Sequence, residues 1–212
     1  MLFRTSPEKF WNLIAAKYAA SPINDISAYQ KKIKKIKSYL SSEDYVLDIG
    51  CGTGTQCDDL ANSVKHVTGI DISSKLLAIA EMRKLEREIK NVEFAQTTVF
   101  DERFGSGSFD VVMAFYVLHF CEDIDEVFRR IYDLLKPGGL FILETACLGE
   151  KSIITGKLIR LGGKLGFLPL INLLSTRQIE QALAQAGFSV VGKSRFSASD
   201  NEYTLIAEKA VE

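Results

Sequence analysis

The sequence predicts an α/β protein on a doubly wound, mostly parallel seven-stranded sheet with an antiparallel C-terminal strand. Three observations carry that prediction. Short apolar runs alternate with helix-period segments through the middle of the 212 residues, the order that builds a parallel sheet covered on both faces. The first run, "YVLDI", passes straight into "GCGTG", a strand-to-helix turn rich in glycine. The last two runs, "FSVVGK" and "EYTLIAEK", are joined by "SRFSASDN" without a helix, so they pair antiparallel.

The elements follow in order. Pro7 to Ala20 and Ser27 to Leu40 read as two amphipathic helices joined by "SPIND", whose Pro and Asn/Asp suit a turn. In the second, "QKKIKKIKSYL" sets Ile33, Ile36 and Leu40 on one stripe, and the lysines between them read as a solvated face. The strands are "YVLDI", "HVTGID", "NVEFA", "FDVVMAF", "GLFILET" and the two C-terminal runs. Helices occupy Gly54 to Val64, Ser73 to Lys90, Asp123 to Leu135 and Ser175 to Ala186, with Ser73 and Ser175 as N-caps and Gly187 as a stop. One domain is expected, with a helical cap over 1–40, a ligand-binding core over 41–145, an insert over 146–174 and a C-terminal helix with strands over 175–212.

Composition narrows the function classes. The chain is 47% hydrophobic and 25% charged, with a net charge of −1, so no basic surface excess invites nucleic acid. Pro7, Glu8 and Lys9 interrupt any signal-peptide core, and no uncharged run approaches the roughly 20 residues that span a bilayer. The four cysteines form no C-x-x-C pair and only two histidines exist, so neither a metal site nor a disulfide framework is expected. A cytoplasmic protein with reduced thiols fits these features.

The chemistry is concentrated in "VLDIGCGTG", Val46 to Gly54. In a doubly wound sheet, ligands bind outside the carboxyl ends of the strands, where this loop lies. Its G-x-G-x-G spacing differs from the G-x-G-x-x-G of dinucleotide sites, which disfavours a nicotinamide dehydrogenase. Asp48 would repel a pyrophosphate but suits a cationic ligand. Asp71 ends the second strand, close to the spacing at which an acid grips ribose hydroxyls. The ligand these residues describe is a cationic ribonucleoside.

These segments resemble the class I S-adenosylmethionine-dependent methyltransferases, in particular the small group that includes ubiquinone- and menaquinone-type methylases. The resemblance rests on "VLDIGCGTG", "GIDIS" with "KLLAIA", "GSFDVVMAFYVLHF" and "LLKPGGLFIL", and covers roughly Ser38 to Glu144. It implies a Rossmann-like fold, S-adenosylmethionine as cofactor and S-adenosylhomocysteine as product. By the same resemblance, Asp48, Gly50, Cys51, Gly52 and Gly54 would cradle the methionine end, Asp71 would take the ribose hydroxyls and Ile72 would pack on adenine. Where relatives carry Gly-Asp-Ala, this chain has "TTVF". Thr98 and the Val99 amide would therefore serve adenine, with Asp101 reaching in if its loop shifts.

Phe115, Tyr116 and His119 follow the fourth strand, the edge nearest the methyl group in this family. His119 is the candidate general base, since an imidazole titrates near neutrality, and its plainer reading is a turn cap. Trp11, Tyr18, Tyr29 and Tyr116 are candidates for the substrate pocket, against ordinary helix packing. In the insert, Ile154, Leu158, Leu161 and Leu165 share one helical stripe flanked by Lys157, Arg160 and Lys164. That pattern suits a lid over an apolar pocket, and equally a peripheral membrane contact through 151–174. A small, apolar acceptor is expected. The alternatives are a methylase of protein or RNA side groups, and an S-adenosylmethionine-binding module without catalysis.

Overall fold

The computed structural model describes residues 6–146, 171–196 and 202–211. Strands β1 (Tyr45–Ile49), β2 (His66–Asp71), β3 (Val92–Gln96), β4 (Phe109–Phe115), β5 (Leu135–Ala146), β6 (Phe188–Ser194) and β7 (Glu202–Lys209) form one sheet. Their spatial order is β3-β2-β1-β4-β5-β7-β6. Strand β7 pairs antiparallel with both β5 and β6, and the other pairings are parallel. The strand order reverses between β1 and β4, registered Val46 to Val111 and Ile49 to Ala114, which opens a crevice at their carboxyl ends.

Both faces of the sheet are buried, which is why its central strands carry unbroken apolar runs rather than alternation. Val46 and Leu47 are adjacent and wholly buried, as are Val112, Met113 and Ala114. On one face, α5 (Ile124–Leu134) and α6 (Thr176–Gln185) bring Phe128, Ile131 and Leu183 onto Phe141 and Phe188. On the other, α2 (Ile26–Lys37) and α3 (Thr55–Leu60) bring Ile33, Ile36, Cys57 and Leu60 onto Val46, Met113 and Ile142.

Side chains cap the helices as their residue types require. Asp25 and Asp123 accept from Ala28 and Glu126 N–H at the starts of α2 and α5, and Ser175 and Gln178 form a capping box on α6. Ser73 caps α4 (Ser74–Glu86) and donates its hydroxyl proton to Asn12 Oδ1 at 2.8 Å, tying α1 (Pro7–Ala20) to the core. Gly187 ends α6 at φ +96°.

Several boundaries differ from expectation, among them the end of α3, which stops at Leu60 and passes into a 3-10 turn over Ala61–Ser63 rather than running to Val64. Strand β5 begins at Leu135 rather than Gly139, because Leu135 pairs with Phe109 across a bulge and carries "KPGG" into the strand. Helix α2 stops at Lys37, where Ser38 N–H turns back to Lys34 and Lys35 carbonyls. Helix α4 stops at Glu86, because Glu88 takes φ +55°. The proposed lid stripe from Ile154 to Leu165 and its basic flank lie outside the described residues. Among the described residues, no helix is long and apolar enough to cross a membrane, and no cluster could hold a metal ion.

Candidate active site

The crevice between β1 and β4 opens into a cavity of about 1230 Å³, walled by α1, the Ser21–Asp25 linker, α2, the glycine loop and the carboxyl ends of β4 and β5. The glycine loop sets one end. Gly50, Gly52 and Gly54 stand at φ +71°, +56° and +73°, a left-handed run that only glycine takes without strain. Gly50 and Cys51 N–H both donate to Ile70 O, at 2.8 and 3.0 Å, so the loop is pinned to the end of β2.

Asp71 links loop and strand. Its Oδ2 accepts from Gly52 N–H at 3.0 Å and its Oδ1 from Ser73 N–H at 2.8 Å. Acceptor capacity is left over for a further donor, because a carboxylate offers about four acceptor sites. Burial raises the Asp71 carboxyl, opposed by the Ser73, Gly52 and Ile72 N–H groups. Ile72, Thr98, Val99 and Phe115 line the cavity as well.

Asp48 has a different place. It is 2% exposed and lies behind the loop, off the cavity wall, with its Oδ2 accepting from Cys57 Sγ at 3.2 Å. Any influence it has on a ligand passes through the loop as a field rather than as contact. Burial pushes its carboxyl up to about 7. The protonated form is thus favoured by folding, so this group's contribution is greatest below pH 3.8 and is lost as pH rises through about 7. Asp48→Asn is expected to remove that decline, seen as a flatter dependence of urea midpoint on pH.

Gly54 and His119 also stand off the cavity wall. Gly54 instead packs its backbone against Phe94 and Ala80. His119 is buried with its ring 4.1 Å from that of Phe120, and its Nδ1 has no hydrogen-bond partner among the described residues. Burial lowers its pKa to about 4, so it is neutral near pH 7 and a weak base. The candidate base of the sequence reading is therefore displaced: the 3-10 turn Leu118–Phe120 offers Phe120 to the cavity and turns His119 away. Asp101 is likewise committed elsewhere, since Arg103 holds both its oxygens and keeps the carboxyl well below the usual range.

The aromatic candidates do meet. Trp11 makes edge contacts with Tyr18 at 5.7 Å and Phe120 at 5.4 Å, so α1 closes one side of the cavity with edge-to-face rings. Tyr29 donates its hydroxyl proton to Asp59 Oδ2 at 2.6 Å. Tyr116 sits at φ +55°, an uncommon conformation for a bulky residue, and its N–H donates to Glu144 O at 2.8 Å.

Two features were beyond the sequence reading. Lys32 and Glu144 form a buried ion pair in the cavity wall, at 2.5 Å. The available signal was the i, i+4 series Ala28, Lys32, Ile36, which is buried throughout. Arg130 holds the Thr98 segment through its donors to Val99 O at 3.2 Å, Asp101 O at 3.2 Å and Phe104 O at 2.7 Å. Nothing local in the sequence marks it. Arg130→Ala is expected to cost about 1–3 kcal/mol of stability by leaving those carbonyls unpaired, checked by denaturant melts.

Residues 47–143 match the family described as a methyltransferase domain. Over this segment, from β1 into β5, the chain is similar to the class I S-adenosylmethionine-dependent methyltransferases. The methyltransferase domain is 37% identical over 112 residues to the ubiquinone biosynthesis O-methyltransferase of Albidiferax ferrireducens, covering 51% of this chain and 44% of that protein. It is 40% identical over 105 residues to the demethylmenaquinone methyltransferase of Lactococcus lactis, covering 48% and 42%. These matches span less than half the length of either curated relative. In fold, the chain is similar to the phosphoethanolamine N-methyltransferase 2 of Haemonchus contortus, solved with phosphomonomethylethanolamine and S-adenosylhomocysteine. There the TM-score is 0.77 at 20% identity, over 96% of this chain and 60% of that one.

The residues present fit the family's cofactor. A Cβ added at Gly52 would meet only Tyr18 Cε1, at 3.7 Å, so the methyltransferase loop presents bare backbone to the cavity beside the open lone pairs of Asp71.

Proposed function

We propose that this chain transfers a methyl group from S-adenosylmethionine to a small acceptor with a largely apolar body. The observation that carries the reading is the single cavity of about 1230 Å³ joining the glycine loop to an aromatic chamber. A pocket for one drug-sized molecule holds about 300–1,000 Å³, so this one has room for a cofactor and an acceptor together. Relatives whose names refer to ubiquinone and demethylmenaquinone support an apolar, ring-bearing acceptor.

In this reading Asp71 accepts from the ribose hydroxyls, and backbone of Gly50 to Thr53 faces the methionine end. Ile72 packs on adenine, while Thr98 and Val99 meet its edge. The bound cofactor supplies a methyl group already activated on a sulfonium sulfur. The chain's own task is alignment in a water-poor space. Trp11, Tyr18 and Phe120 exclude water, and Phe115 and Tyr116 wall the acceptor end.

Calorimetry with S-adenosylmethionine, S-adenosylhomocysteine and NAD tests the reading. The first two are expected to bind and NAD is not. Absence of binding by both sulfur nucleosides would refute it.

A further inference from the structure

The Lys32–Glu144 pair is expensive in its setting. Both residues are nearly buried, at 6% and 4% exposure, and they come from α2 and β5, 112 positions apart. Replacing such a pair with apolar residues often leaves a protein as stable or more so, so a buried pair is weak grounds for a purely structural role. This one stands in the cavity wall, at the acceptor end of the proposed site.

Its hydrogen-bonding capacity is incompletely used. An ammonium has three donors, and Lys32 Nζ has one oxygen partner among the described residues, Glu144 Oε2. Its other neighbours are ring faces: Phe115, Tyr116 and Tyr29, at 5.2, 5.5 and 5.6 Å to their centroids. Such faces favour a cation but accept hydrogen bonds poorly. On Glu144, Oε1 takes among the described residues only a long contact from Thr204 Oγ1, at 3.4 Å. The wall therefore offers a spare donor and a spare acceptor side by side, between aromatic rings.

We infer that Lys32 and Glu144 form the acceptor-recognition site, and that the acceptor is a planar ring bearing an ionisable hydroxyl, a phenol or an enol. The inference rests on the methyltransferase reading above. Lys32 donates to the acceptor oxygen and favours its anionic form, while Glu144 receives the proton. A cationic amine at this position is disfavoured by the charge of Lys32. In the transfer step the acceptor O–H bond breaks and its proton goes to a Glu144 oxygen. An oxygen lone pair forms the new bond to the methyl carbon, and the carbon–sulfur bond breaks with its electrons left on sulfur.

A pure clamp between α2 and β5 would not affect the ionisation of a bound phenol, so the test uses 4-nitrophenol, whose anion is coloured. The probe is titrated with pH on protein saturated with S-adenosylhomocysteine. Glu144→Gln should lower the apparent pKa of the bound probe, and Lys32→Met should raise it, each by about one pH unit or more, with S-adenosylhomocysteine affinity unchanged. If either single variant fails to fold, Lys32→Met/Glu144→Gln carries no unpaired charge and should bind the probe about tenfold more weakly. Identical probe titrations in all proteins, unchanged affinity in the double variant, or no probe uptake by the unsubstituted complex overturns the inference. Failure of the unsubstituted protein to bind S-adenosylhomocysteine would instead remove the methyltransferase reading beneath it.

Discussion

Calorimetric titration of Asp71→Ala with S-adenosylhomocysteine is expected to return an affinity about 100-fold below that of the unsubstituted protein, or roughly 3 kcal/mol. The magnitude follows from what the carboxylate does. Hydrogen bonds to a charged acceptor are worth about 1.5–3 kcal/mol each, and the proposed ribose contact makes two of them. Part of the loss comes from the protein, because the alanine also releases the Gly52 and Ser73 N–H groups that Asp71 now fixes. The two sources separate if an S-adenosylhomocysteine analogue lacking both ribose hydroxyls is titrated as well. Ribose contact predicts that the substitution costs this analogue much less affinity than it costs S-adenosylhomocysteine. A substitution effect that is equally large for both ligands would assign Asp71 to loop geometry alone.

How far the sequence reveals this site depends on whether the chemistry is local. Asp71 was legible because its neighbours in sequence define it: it ends an apolar run and opens a helix capped by Ser73. The glycine loop was legible for the same reason, as were the mostly parallel sheet of an alternating β/α chain and the antiparallel pairing of β6 and β7, whereas the spatial order of the strands was not. His119 misled because a residue just beyond a strand end can face either side, and the 3-10 turn that chooses Phe120 for the cavity leaves no residue pattern. Asp48 was singled out by its position, but the alternation of strand side chains hides it behind the loop, off the cavity wall. Lys32 was read as one of several solvated lysines. Its partner Glu144 lies on another element, and a pairing over 112 positions has no local signature. The residues proposed for the cofactor thus cluster in short motifs, whereas the end proposed for the acceptor is assembled from α1, α2, β4 and β5.

The three glycines of the loop should fail in different ways when replaced by alanine. All three sit at positive φ, so each substitution carries about 1–2 kcal/mol of backbone strain. At Gly54 a Cβ would stand 2.7 Å from Phe94 Cζ and 3.0 Å from Ala80 Cβ, and at Gly50 it would stand 2.7 Å from Val117 Cγ2. Both contacts are with packed side chains, and overpacking of that kind adds about 1–3 kcal/mol. Gly54→Ala is therefore expected to lose about 2–5 kcal/mol of stability in denaturant melts, a large part of the 5–15 kcal/mol that holds an ordinary domain together. At Gly52 the nearest atom is Tyr18 Cε1 at 3.7 Å, an ordinary contact, and the added methyl would occupy cavity space. Gly52→Ala should consequently keep most of its stability and lose cofactor affinity instead. Equal stability losses at positions 52 and 54, with cofactor binding spared at 52, would mean that the bare backbone of the loop faces no ligand. The opposite result ties the spacing of the motif to two separate demands, close helix packing at its third glycine and close approach to a ligand at its second.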